Sequence, residues 1–291
     1  MTKNRNSTIF VWIILIPILA QYTLTSVVPM LISLFLTFTD WSLLGSWGFV
    51  GFDNWIRMFG DANVWHSLNV TIIYSLMVVI PTIVIGLILA LVVNSHRPCT
   101  SIFKSIYFFP VITSQVVVAS IWKWLFSSES NGIINEILGF FGIPTQFFFG
   151  TSLALFTVAL LGIFQSAGTS MVYFYAGLKG IPEELIEAAR VDGCRGLRSF
   201  WHITLPLLRP TMAYVLIVTT SVSLKIFDSI YTLYNQTGGP QNAANSLVML
   251  IYRTSFFNMQ MGYGSTIAYL LFAIILVISV VQYRVTNMEV E

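Results

Sequence analysis

Between Ile9 and Phe38 the chain carries no charged side chain. About 20 apolar residues suffice to cross the hydrocarbon core of a bilayer as a helix, and a longer run crosses with tilt. Lipid offers the backbone no water to bond, so such a segment is helical unless it closes into a barrel. Further apolar runs follow, and the expected spans are residues 9–38, 70–93, 106–126, 152–178, 212–233 and 264–283. Charged residues make up 9% of the 291 and hydrophobic ones 56%, against about 25% charged in soluble domains. The chain therefore reads as one all-α integral membrane domain, residues 1–291, with six transmembrane helices. Pro17 and Pro29 predict kinks in the first span, and Pro110 predicts a break in the third. The first run is too long for a signal peptide and lacks a small-x-small cleavage site, so it is expected to stay as a span.

Orientation follows from the 14 Lys and Arg residues. With the N-terminus inside, Lys3, Arg5, Arg97, Lys104, Lys179, Arg190, Arg195, Arg198, Arg209 and Arg284 share one side. Arg57 and Arg253 take the other, and Lys123 and Lys225 fall within spans. Positive charge accumulates on the cytoplasmic side of membrane proteins, so both termini are expected there. Cys99 and Cys194 then lie in cytoplasmic loops and are expected to be free thiols. A net charge of +2 gives no argument for nucleic acid; membrane lipid is the surrounding partner.

One polar stretch interrupts this pattern, Gly177 to Pro210, GLKGIPEELIEAARVDGCRGLRSFWHITLPLLRP. Pro182 suits a first helical position, where a missing N–H costs nothing. Glu183 and Glu184 then fall in the first turn, where negative charge is favoured. Leu185, Ala188 and Ala189 make an apolar stripe at helical spacing. Gly193 is a helix stop that tolerates the left-handed region. Two readings are open on physics alone: a solvated helical hairpin, or a surface that docks a partner.

The spacing Glu187-Ala188-Ala189, three residues, Gly193, nine residues, Ile203-x-Leu205-Pro206 resembles the EAA loop of ABC importer permeases. The likeness extends along the chain through SLFLTFTDW (Ser33–Trp41), FVGFDNW (Phe49–Trp55), GLILALVVN (Gly86–Asn94), FFPVITSQVVVASIWKWLF (Phe108–Phe126) and SLKIFDSIY (Ser223–Tyr231) followed by Gly-Gly-Pro. It is that of the carbohydrate-uptake class, and within it of the first permease of maltose-, lactose- and glycerol-phosphate-type systems. The resemblance implies type I permease architecture, a multi-pass place in the bacterial cytoplasmic (inner) membrane, and a cytoplasmic coupling loop at residues 177–210. It further implies a second homologous permease subunit, two ATP-binding cassette subunits and an extracytoplasmic solute-binding protein. Glu187 would be the acidic contact to the ATPase, Ala188 and Ala189 the close-packing surface, Gly193 the turn, and Ile203, Leu205 and Pro206 the return. Cys194 and Arg195 stand where the family has small residues, and Tyr234–Thr237 runs about two residues longer than its pattern.

No lysine follows a glycine, so the chain cannot supply a phosphate-binding Gly-Lys-Ser/Thr motif, and no enzymatic constellation, metal-ligand spacing or cofactor motif is present. Lys225 and Asp228 are the sharp intramembrane feature. A lone charge at mid-span costs roughly 2.5–3.5 kcal/mol on insertion scales. Spaced i,i+3 on a helix, the two share a face; they either neutralise each other in the bundle or line a translocation path. Gln165, Tyr173, Tyr175 and Tyr231 are further candidates for that path. Alternatives to a sugar importer are an ABC permease for a polyamine, phosphate or amino acid, or an ATP-independent carrier.

Overall fold

A computed structural model describes residues 5–45, 48–94, 100–128 and 132–287. Lys3, Arg97 and Cys99 lie outside the described residues, as do the side chains of Arg5, Lys104 and Arg190. The described residues are helical, joined by irregular connections, with two isolated antiparallel bridges, Thr39 to Phe49 and Ser42 to Gln260. Among the described residues, five helices are long and apolar enough to cross a membrane: Val11–Leu36, Ala62–Asn94, Ala154–Lys179, Arg209–Leu233 and Met261–Thr286. A bent pair, Ser105–Ile112 with Gln115–Leu125, makes a sixth if counted as one span.

The chain divides into two compact units. The first comprises Met1–Ala62 with Ile251–Leu270. Its long helix, Val11–Leu36, buries none of its apolar window within the chain, as a helix does whose whole circumference meets lipid or another subunit. Where it ends, Thr37 and Thr39 turn their hydroxyls back onto the carbonyls of Leu34 and Leu36, at 2.7 and 2.9 Å. Asn54, on the short helix Asp53–Gly60, donates from one Nδ2 to Thr37 O at 3.0 Å and Thr39 O at 2.8 Å. Arg57 lies 3.9 Å from the centroid of the Tyr263 ring, and the Tyr263 hydroxyl donates to Asp61 Oδ2 at 2.7 Å. The Asn54 amide thus closes the end of the first span.

The second unit comprises Asn63–Leu250 with Leu271–Glu291. Its second span runs unbroken through Pro81. Two apolar clusters hold it. Tyr74, Val78, Val158, Leu161, Ile230 and Met249 form one; Ala90, Val93, Met171, Phe174, Leu208 and Val215 form the other.

Two expected spans are not continuous helices. The third, expected over 106–126 with its break at Pro110, instead bends by 108° between Ile112 and Gln115. Pro110 sits inside the preceding helix, and the chain leaves helical geometry at Ser114, with φ −55° and ψ 132°. The Thr113 hydroxyl donates to Phe109 O at 2.9 Å, one of the local side-chain bonds that compete with the helical ladder. The fifth span is helical over Arg209–Ser223 and again over Asp228–Leu233. Between them the backbone tightens: Lys225 N–H bonds Val222 O at 3.1 Å and Ile226 N–H bonds Ser223 O at 3.2 Å. Phe227 then departs altogether, at φ −144° and ψ −61°.

Candidate functional site

The polar stretch folds as the helix Glu183–Val191 followed by a tight turn. Asp192 N–H bonds Ala188 O at 3.0 Å and Cys194 N–H reaches back to Ala189 O at 2.8 Å, across Gly193 at φ +79°. This is a Schellman turn, and glycine supplies its left-handed residue without Cβ strain. The chain then resumes helical form from Leu197, passes through a π-turn at Phe200–Thr204, and enters the fifth span at Arg209. Ile203, Leu205 and Pro206 are half-buried along this return.

Consecutive helical residues point about 100° apart, and the two alanines are separated accordingly. Glu187 and Ala188 are exposed, but Ala189 is buried. The expectation that both alanines form one outward surface is corrected: Ala189 faces its own chain, as does Ile186 three residues before it, which lines a cleft with Leu91, Cys194 and Phe200. The outward apolar residues are Leu185, Val191, Leu197 and Trp201, at 46%, 87%, 76% and 58% exposure. Val191, Leu197 and Trp201 carry more apolar exposure than the triplet that drew attention in the sequence. Cys194 is a free, half-buried thiol.

The second candidate lies among the spans. A cavity of about 220 Å³ is lined by Tyr74, Gln115, Gln165, Lys225, Phe227 and Asp228, among others. It adjoins another of about 200 Å³ that shares Gln115, Gln165, Ser166 and Val222 and adds Tyr173 and Thr219. Lys225 and Asp228 both reach this space, but not as one helix face, because the break at Leu224–Phe227 separates them. Among the described residues no ion pair joins them, so of the two alternatives the structure lacks the i,i+3 neutralising pair that a continuous helix would allow. Tyr231 lines neither cavity; it packs on Phe227 with ring centroids 5.2 Å apart. Tyr175 borders a separate apolar cleft with Phe108 and Met171.

Gln115, Ser166 and Thr219 escaped the sequence reading. Gln115 had a signal, the polar run Thr113-Ser114-Gln115 in the middle of an apolar span, where polar groups face a cavity or a partner. Buried Gln165 Nε2 has no hydrogen-bond partner among the described residues. Amides, hydroxyls and rings line the two cavities together with Lys225 and Asp228, and the amides and hydroxyls can both donate to and accept from hydroxyl groups of a solute. Among the described residues no three His, Cys, Asp or Glu side chains gather as a metal ion would require.

Residues 62–287 match the family described as "Binding-protein-dependent transport system inner membrane component". The probable ABC transporter permease protein YesP of Bacillus subtilis is 33% identical over 275 residues, covering 93% of this chain and 88% of that protein. The multiple sugar-binding transport system permease protein MsmF of Streptococcus mutans is 30% identical over 260 residues, covering 89% of each. Among solved structures, a chain of a bacterial ABC transporter involved in the import of the acidic polysaccharide alginate superposes with a TM-score of 0.85 at 22% identity, over 98% of both chains.

Proposed function

The chain belongs to the family of inner-membrane components of binding-protein-dependent transport systems, and on that premise we propose how its two candidate sites work together. The protein is a permease subunit of an ABC importer of the sugar and oligosaccharide class, a transport component and not an enzyme. It sits in the bacterial inner membrane with both termini and the loop 177–210 in the cytoplasm. A second permease subunit completes the path, two ATP-binding cassette subunits dock on the cytoplasmic side, and a solute-binding protein delivers the sugar outside.

The observation that carries this reading is the outward set on the loop. Glu187 is exposed on a helix capped by Gly193, between two spans, with Val191 bare four residues on along the same face. An exposed apolar patch rimmed by charge marks an interaction surface. The ATPase pair closes on ATP, moves this helix as a rigid lever, and the spans around Gln115, Gln165, Lys225 and Asp228 change the side on which the cavity opens.

The test is reconstitution of the complex in proteoliposomes with its ATPase and binding protein. Glu187→Ala and Gly193→Asp are expected to leave the chain folded and to reduce both uptake and binding-protein-stimulated ATP hydrolysis by tenfold or more. Wild-type rates in an intact complex would remove the docking role.

A further inference from the structure

Just past Gly238-Gly239-Pro240, four hydrogen bonds converge on the buried segment Asn245–Leu247. Asn245 Nδ2 donates to Ser67 Oγ at 2.9 Å. Leu247 N–H donates to Thr71 Oγ1 at 2.8 Å. Ser246 Oγ donates to the carbonyl of Ile226 at 2.8 Å and accepts from Met249 N–H at 3.1 Å. Thr71 sends its own proton to Ser67 O at 2.7 Å, which leaves its oxygen free to accept. One turn further along the second span, Ser75 Oγ meets Ser223 Oγ at 2.6 Å. Ser67, Thr71 and Ser75 therefore present one stripe, at four-residue spacing, to both the outer segment and the fifth span.

Each bond answers a local need. Leu247 and Met249 open the helix Leu247–Tyr252, and the first amides of a helix have no acceptor within it. Thr71 serves one and Ser246 the other. Ile226 lies in the break of the fifth span, where the helical donors to its carbonyl are lost, and the same Ser246 hydroxyl replaces them. Gly238 makes room for this arrangement, because a Cβ there would collide with the Asn245 side chain. Ser67, Thr71, Asn245, Ser246 and Leu247 are buried, where a polar group left without its partner is costly; Ile226 is half-buried beside the cavity.

We propose that Asn245–Leu247 is a latch, and that Ser246 and Thr71 are positioning residues for the translocation cavity. They fix the backbone at Ile226, and Lys225 and Asp228 stand one and two residues from it in the cavity wall. The latch ties that wall to the outer segment, so a displacement of the segment moves both charges. This rests on the reading of the cavity as the solute path, and the test is chosen to be independent of transport.

In the assembled importer, Lys225→Cys is introduced on a Cys99→Ser, Cys194→Ser background, and its labelling by a hydrophilic, charged maleimide is timed. Thr71→Val keeps the volume but removes the acceptor; Ser246→Ala removes the donor. Each is expected to change the labelling rate at position 225 by at least fivefold, and Thr71→Ser to restore it. Rates within twofold of the parent in both variants would overturn the latch. So would a failure of both to assemble while Thr71→Ser assembles, since that outcome is a purely structural role. A changed labelling rate alongside undiminished sugar import by the Lys225→Cys parent would count against the solute path alone, and leave the latch standing.

Discussion

Lys225 and Asp228 show what a sequence can and cannot say at the scale of single residues. That both are functional candidates is legible, because charge inside an apolar run is costly. Their relation is not, because it depends on a helix that stops at Ser223 with neither glycine nor proline to announce it. A double-mutant cycle of Lys225→Ala and Asp228→Ala on the thermal midpoint of the purified complex should give a coupling below about 0.5 kcal/mol, the level expected for residues not in contact. A coupling of about 1 kcal/mol or more would restore the pair. Gly193 is the opposite case, a residue whose role was legible from its type. Alanine there must adopt the left-handed region at a cost of roughly 1–2 kcal/mol. In Gly193→Ala, hydrogen exchange over the turn that closes on Ala189 O should accelerate by about five- to tenfold; unchanged protection would show that the turn had found another geometry.

At the scale of elements, apolar length and the positions of proline locate helices well and breaks poorly. Pro110 promised an interruption, yet the helix passes through it and fails at Ser114, where hydroxyl groups compete for backbone carbonyls. The second span likewise continues through Pro81. The end of the first span was harder still, because its closure comes from Asn54, on a different helix, across the intervening loop. One amide there satisfies two carbonyls. Asn54→Ala orphans Thr39 O and leaves Thr37 O only the long 3.5 Å bond from Thr266 Oγ1, and a buried unsatisfied group costs about 1–3 kcal/mol. The variant should lower the thermal midpoint of the detergent-solubilised protein by several degrees, whereas the neighbouring exposed Asp53→Asn should not. Equal midpoints for wild type and Asn54→Ala would mean that another donor takes over.

The whole molecule is a subunit, and much of its exposed apolar surface is explained only by what lies outside the chain. Val191 and Leu197 are among its barest large apolar residues on the polar stretch, a place where lipid does not cover them in the proposed orientation. Val191→Asp combined with Leu197→Asp should reduce ATPase recovered with the tagged permease by tenfold or more while leaving the permease itself in the membrane at normal abundance. Undiminished recovery would put the docking surface elsewhere. Adjacent alanines look alike in a string and face apart on a helix, so the motif alone does not say that Ala188 is exposed and Ala189 buried.

The broken third and fifth spans also bear on how fast and how warm such a machine must run. Bending an intact helix ruptures backbone bonds, and in a solvent without water each rupture adds to the enthalpy of activation. At Ser114 and Phe227 the backbone has already left helical geometry, so pivoting there ruptures fewer bonds than bending an intact helix. Hinges of this kind absorb rotation in a few residues. In the proposed assembly, the temperature dependence of uptake is then expected to follow the ATP-binding subunits more closely than these hinges.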